Sequence, residues 1–175
     1  MPAVRIVQLD AATLRALADG VAPPAGPVPL TGHLAGPEHR GLWRRRSRQV
    51  DADPAAAAWV TGVVWDPAIG TAVGRAGFHG PPDDTGMVEV GYAIDPAYRR
   101  RGYARAALAA LLDRAAAEPA VTTVRASVRP DNLGSRALVA EFGFVPVGEE
   151  WDDEDGLETV YERPSRPAPS AGMGA

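Results

Sequence analysis

Val88-Glu89-Val90-Gly91-Tyr92-Ala93-Ile94-Asp95-Pro96-Ala97-Tyr98-Arg99-Arg100-Arg101-Gly102-Tyr103-Ala104-Arg105 joins a strand, a basic glycine turn and the first turn of a helix without a gap. From Met87 to Ile94 the residues are mostly apolar and β-branched or aromatic, as in a largely buried strand, and Asp95-Pro96 stops it. Beyond Gly102 the chain is rich in alanine, leucine and arginine. Ala104, Ala107, Leu108, Leu111, Leu112 and Ala115 share one helical face, and Pro119 marks the end. Gly102 therefore falls where open backbone N–H groups and the positive end of the helix dipole converge, with Arg99, Arg100 and Arg101 just before it. This is the build of an anion cradle that suits a pyrophosphate.

Arg99-Arg100-Arg101-Gly102-Tyr103-Ala104 resembles the Arg/Gln-x-x-Gly-x-Gly/Ala pattern of the GNAT superfamily of acyl-CoA-dependent N-acyltransferases, and Asp95-Pro96-Ala97-Tyr98 is similar to its usual lead-in. Downstream, Asn132-Leu133-Gly134-Ser135 followed by Glu141-Phe142-Gly143-Phe144 resembles the family's second pattern. Two such pieces in the right order, separated by a helix and a strand, carry far more weight than either alone. The resemblance covers roughly Ala57 to Arg163 and is closest to the branch that contains the ribosomal-protein N-terminal acetyltransferases.

Composition removes competing phosphate-binding chemistries. All 18 basic residues are arginine, so a P-loop, a Schiff-base mechanism and a lysine-based kinase site are excluded. There is no cysteine, which excludes disulfides, thiolate metal sites and an acyl-cysteine intermediate. A net charge of −4 argues against a general nucleic-acid binder, and no apolar run approaches the ~18 residues that span a membrane. No signal-peptide pattern opens the chain, so a cytoplasmic protein is expected. His33, His39 and His79 show no metal-ligand spacing, and no metal is expected.

The rest of the chain supplies the frame. Val4–Leu9 reads as a strand, and Asp10 as the N-cap of a helix through about Ala18. Val21–Pro37 holds five of the 17 prolines and reads as an irregular, semi-rigid connection. Pro37–Val50 reads as a second helix, with Leu42 and Trp43 inward and Arg40, Arg44, Arg45, Arg46 and Arg48 mostly outward. Ala57–Trp65 and Thr71–Phe78 form a hairpin, and Val121–Val128 is the next strand. A helix from about Asn132 to Phe142 ends at Gly143, and Phe144–Trp151 with Leu157–Arg163 closes the sheet around Asp155-Gly156. The expected fold is α+β: one domain over 1–163, a single mixed, mostly antiparallel sheet with helices on both faces, and a disordered tail over 164–175.

The resemblance implies a chemistry for this frame: transfer of an acetyl group from acetyl-CoA directly to a primary amine of a small molecule or a peptide N-terminus. It implies that the pantetheine arm pairs with the backbone of Tyr92, Ala93 and Ile94 and that the pyrophosphate rests on Arg99, Arg100, Arg101, Gly102, Tyr103 and Ala104. It also implies an oxyanion donor at the Ile94 N–H. Asn132 is structural or cofactor-contacting. Glu89 is the ionisable side chain inside the strand body and shares a face with Gly91 and Ala93, which makes it the candidate base, acting through a water; a buried carboxylate satisfied by a neighbouring backbone group or arginine, and a role in positioning the acceptor, are the competing readings. Many relatives carry a tyrosine seven residues after the signature asparagine, where its hydroxyl protonates the leaving thiolate; here that residue is Val139, and Ser135 is the remaining nearby hydroxyl. The run Glu149-Glu150-Trp151-Asp152-Asp153-Glu154-Asp155 is either a solvated tip or a lure for a cationic acceptor. A homodimer is left open, and a non-catalytic acyl-CoA-binding module is the alternative to an enzyme.

Overall fold

A computed structural model of the protein describes residues 1–153 and 156–166. Seven strands, β1 (Arg5–Val7), β2 (Gly62–Asp66), β3 (Thr71–Phe78), β4 (Met87–Ile94), β5 (Thr123–Val128), β6 (Val145–Asp152) and β7 (Gly156–Pro164), accompany four helices, α1 (Ala11–Asp19), α2 (Arg40–Ala52), α3 (Tyr103–Ala117) and α4 (Leu133–Glu141). The strands hydrogen-bond in the order β1-β2-β3-β4-β5-β7-β6. The β4–β5 pair is parallel and the others are antiparallel, so the sheet is mixed and open, with the element order that the sequence predicts.

The chain divides into two compact units, Met1–Pro81 with Val90–Leu111 and Pro82–Glu89 with Leu112–Ala175. In the first, α1 begins because the Asp10 carboxylate accepts the Thr13 N–H at 2.7 Å, and it ends at Gly20, whose φ of 71° turns the chain out of the helix. Leu14, Leu17, Leu34, Trp43, Val60 and Val63 are buried in its core. Trp43 can be buried because its indole N–H donates to the Leu34 carbonyl at 2.8 Å.

Two expectations fail in this unit. The strand expected from Ala57 begins only at Gly62, because Ala57 and Ala58 end a 3-10 turn over Pro54–Ala58: Pro54 is preset for a helical start, and the Asp53 carboxylate accepts the Ala55 N–H. Arg46 is buried, not outward, at 4% exposure, with Nε donating to Thr61 Oγ1 at 3.0 Å and Nη1 to Gln49 Oε1 and the His79 carbonyl. Position 46 lies on the same helical face as Trp43 and Val50, but a charged side chain argues outward, and its partners, Thr61 just before β2 and His79 just after β3, are distant in sequence.

In the second unit, Met87–Glu89 runs parallel to Thr123–Arg125, and β5 continues against β7 to Val128↔Thr159. Order extends past the expected limit at 163. Pro164 pairs with Thr123, Ser165 is buried with its hydroxyl donating to the Val121 carbonyl, and Arg166 donates to the Ala116 and Glu118 carbonyls. Residues 167–175, expected to be disordered, and Glu154-Asp155 of the acidic run lie outside the described residues.

Candidate active site

The cradle lies wholly in the first unit. Asp95 Oδ1 accepts the Ala97 N–H at 2.9 Å and starts a single 3-10 turn over Pro96–Tyr98. The chain then extends at Arg99, turns left-handed at Arg100 (φ 62°) and again at Gly102 (φ 83°), and enters α3. The first cross-turn backbone bond of the helix is the Ala106 N–H to the Gly102 carbonyl at 3.0 Å; the N–H groups of Gly102, Tyr103 and Ala104 have no partner among the described residues. Arg99, Arg100, Arg101 and Gly102 are exposed. Open amides at the positive end of a 15-residue helix, beside three guanidinium groups, fit a pyrophosphate.

Two side chains fix this loop from below. The Arg99 Nε donates to the Ile94 carbonyl at 3.0 Å, tying the cradle to the end of β4. The Tyr103 hydroxyl donates to the buried Asp66 at 2.7 Å, and that bond, with burial, raises its pKa above the usual phenol value. Tyr103 therefore offers a ligand its backbone N–H and not its ring hydroxyl. The Arg101 guanidinium lies 5.6 Å from the centre of the Tyr98 ring.

The register of β4 sorts its backbone. Asp95 donates to the Val73 carbonyl, so by antiparallel alternation Ala93 and Gly91 turn their N–H and C=O toward β3, while Tyr92 and Ile94 turn theirs away from it. The parallel ladder to β5 covers Met87–Glu89 and goes no further. The Ile94 N–H has no partner among the described residues. Of the three residues implied to hold the pantetheine arm, Tyr92 and Ile94 have outward backbone groups, and Ala93 spends its own on Arg75 of β3. His79 packs over the same strand, its Nε2 lying where a side chain on Gly91 would reach.

Glu89, Asn132 and Ser135 belong to the second unit. Glu89 is half-buried and stands opposite Arg125 in the parallel ladder. Arg125 donates from Nε and Nη2 to Glu162, at 3.0 and 2.7 Å. Its pKa is raised first by that bond and further by the charges of Glu162, Glu89 and Glu150. Asn132 caps α4, its Oδ1 accepting the Ser135 N–H at 3.1 Å. The Ser135 hydroxyl has no partner among the described residues. Val139 is fully buried.

The sequence gives no sign of one further cluster. Thr31 accepts the Leu34 and Ala35 N–H groups, Gly36 donates to His33 and His39 donates to Gly36, so that 31–39 folds back on itself. These turns bring His33 Nδ1 to 3.2 Å from Glu38 Oε1 and His33 Nε2 to 3.2 Å from His39 Nε2. Burial, followed by the nearby Arg75 charge, lowers the His39 pKa and so favours its neutral imidazole. Thr31 and the Gly36-Pro37 pair mark turns in the sequence, but nothing in a six-residue spacing says that the two rings meet.

The acetyltransferase (GNAT) domain family matches residues 27–145, and the chain belongs to that family. The N-acetyltransferase YjdG of Bacillus subtilis strain 168, itself uncharacterized, is 38% identical over 73 residues, which is 42% of this chain and 44% of YjdG. Among solved structures, a chimera of the Vibrio cholerae spermidine N-acetyltransferase SpeG with hSSAT superposes with a TM-score of 0.66 at 16% identity, over 93% of this chain and 95% of that one. The ribosomal L7/L12 alpha-N-protein acetyltransferase RimL, in complex with coenzyme A, superposes with a TM-score of 0.65 at 14% identity, over 94% and 95%. At these identities the two structures share the fold with this protein.

Proposed function

We propose that the protein is an acetyl-CoA-dependent N-acetyltransferase that moves an acetyl group directly to a primary amine of a peptide N-terminus or a small amino compound. The observation that carries this reading is the cradle: two left-handed residues in three positions, three arginines and a run of open amides at the head of α3. Acetyl-CoA is the substrate that this cradle and the family imply. Its pyrophosphate is assigned to Arg99, Arg100, Arg101 and the N–H groups of Gly102, Tyr103 and Ala104, and its pantetheine amides to the outward backbone of Tyr92, with the Ile94 N–H kept for the thioester oxygen. Asn132 acts by capping α4, which presents Ser135.

Direct aminolysis of a thioester needs a neutral amine, a stabilised oxyanion and a tolerated leaving thiolate. The Ile94 N–H, left open by the strand register, is the proposed oxyanion donor. Glu89 is the proposed base, acting through a water, and Ser135 the proposed donor to the leaving thiolate in place of the absent tyrosine. With no cysteine to carry an acyl-enzyme, the acetyl group passes directly from sulfur to nitrogen: the carbon–nitrogen bond forms to give the tetrahedral oxyanion held by the Ile94 N–H, the amine proton leaves through the base, and the carbon–sulfur bond then breaks to release the CoA thiolate.

An α-amino group with a pKa near 8 is about a tenth neutral at pH 7, whereas a lysine side chain near 10.4 is neutral in under ~0.1% of molecules. One carboxylate without a tyrosine partner suits the former, so α-amines are the preferred acceptors. The buried Val139 favours a second reading, an acyl-CoA-binding module without turnover. Free-thiol release across a panel of peptides, polyamines, amino acids and aminoglycosides separates the two: release with α-amines supports the enzyme, and acetyl-CoA binding with no release to any amine supports the module.

A further inference from the structure

We propose that His33 and His39 form a site for a first-row transition-metal dication of the zinc, cobalt or nickel type, bound through their two Nε2 atoms. Those atoms lie 3.2 Å apart, and the rings meet edge-on with centres 4.7 Å apart. Two metal–imidazole bonds of ~2.0–2.1 Å at a tetrahedral angle place their nitrogens about 3.3 Å apart, so the observed separation suits one ion, which takes the place of the proton the two Nε2 atoms share as His39 keeps its proton on Nδ1 and the rings open slightly. Glu38 completes the arrangement from outside. Its Oε1 lies 3.2 Å from His33 Nδ1, which holds the proton on that nitrogen and leaves the Nε2 lone pair for a metal. This carboxylate–histidine–metal order is the usual outer-shell support of an imidazole ligand.

One ligand atom from each of His33, Glu38 and His39 falls within 4.8 Å of the others, so rotation of the half-exposed Glu38 can also bring its carboxylate to the ion. Two imidazoles with one carboxylate select zinc, nickel, cobalt or copper over magnesium and calcium. The surrounding charges are mixed: Arg75 opposes a dication, whereas Glu38 and Asp95 favour it. The ligands sit on a segment already held by its own turns and by the Trp43 indole on Leu34. A bound ion would clip the connection between α1 and α2 at the point where it enters α2.

The test is titration of the full-length protein with Co2+, followed by its visible absorption, and with Zn2+, followed by calorimetry and by the ring proton resonances of the histidines. One ion per chain is expected, with the His33 and His39 rings shifting and the His79 ring unmoved. His33→Asn or His39→Asn should weaken binding by at least ~10-fold, and Glu38→Gln by roughly 10-fold, the usual effect of removing an outer-shell partner. Zn2+ should raise the melting temperature of the native chain and leave that of His39→Asn unchanged. Absence of stoichiometric binding, or native ring resonances indifferent to Zn2+, would overturn the proposal and leave a hydrogen-bonded imidazole pair only.

Discussion

Arg100 holds a backbone conformation that a side chain makes costly, with φ at 62° in an exposed loop. Such strain persists where the surroundings require it, and here it lies between Arg99, bonded to the end of β4, and the open amides of α3. Stability and ligand binding should therefore part company at this residue. Arg100→Gly should raise stability by up to ~1 kcal/mol through release of the strain, while weakening acetyl-CoA about ten-fold through loss of a charge-assisted contact. Thermal melts paired with acetyl-CoA calorimetry check this; a variant losing stability and keeping affinity would show a purely structural turn. Glu89 makes the complementary case. Glu89→Gln should lower kcat by roughly 100-fold near pH 7, recover partly at higher pH and leave acetyl-CoA affinity unchanged. Full activity in that variant would return Glu89 to an ionic partner of Arg125. The sequence makes the cradle legible residue by residue, because arginines, glycine and helix formers are local signals. The inward commitment of Tyr103 to Asp66 is not legible, since the two are 37 positions apart and only packing joins them.

At the scale of elements, local chemistry decides boundaries. Asp10 shows the cap of α1 in the sequence and delivers it in the structure. Its pKa is lowered chiefly by the backbone bond from Thr13, so its contribution is present above the ordinary aspartate pKa and is lost as pH falls below it, through the depressed folded value. Asp10→Ala should cost about 1 kcal/mol at pH 7, and that difference should shrink toward zero in acid; chemical denaturation at the two pH values measures it. A cost unchanged at pH 2 would mean that Asp10 acts by something other than its charge. The strands β3 and β4 are readable from composition alone. Ala57 and Ala58 are misread as strand although alanine favours helical turns over strands, and the Asp53-Pro54 start carries the chain into a 3-10 turn through both of them. The edge-on contact of the histidines of 31–39 follows from four consecutive turn bonds, none of which has a periodicity.

At the scale of the whole molecule, order of elements and charge balance carry the function. The strand and helix sequence is recovered because each element is signalled locally, even across the long connection between α1 and α2. The burial of Ser165 is not, since it depends on long-range packing. The acidic strand β6 leaves Trp151 74% exposed beside Glu149, Glu150 and Asp152. Replacing Asp152 and Asp153 with Asn should raise the KM of a cationic acceptor, with an effect that fades as salt is added, and leave the acetyl-CoA KM alone. A KM indifferent to both would make this strand a solvated edge. Direct transfer to an α-amine, as proposed, is tested most directly by mass spectrometry of the protein and of a peptide carrying one free α-amine and one lysine, both after incubation with acetyl-CoA. A protein with no acetyl adduct and a peptide acetylated at its α-nitrogen are expected; an acetylated protein intermediate, or transfer confined to the lysine, would contradict direct transfer to an α-amine.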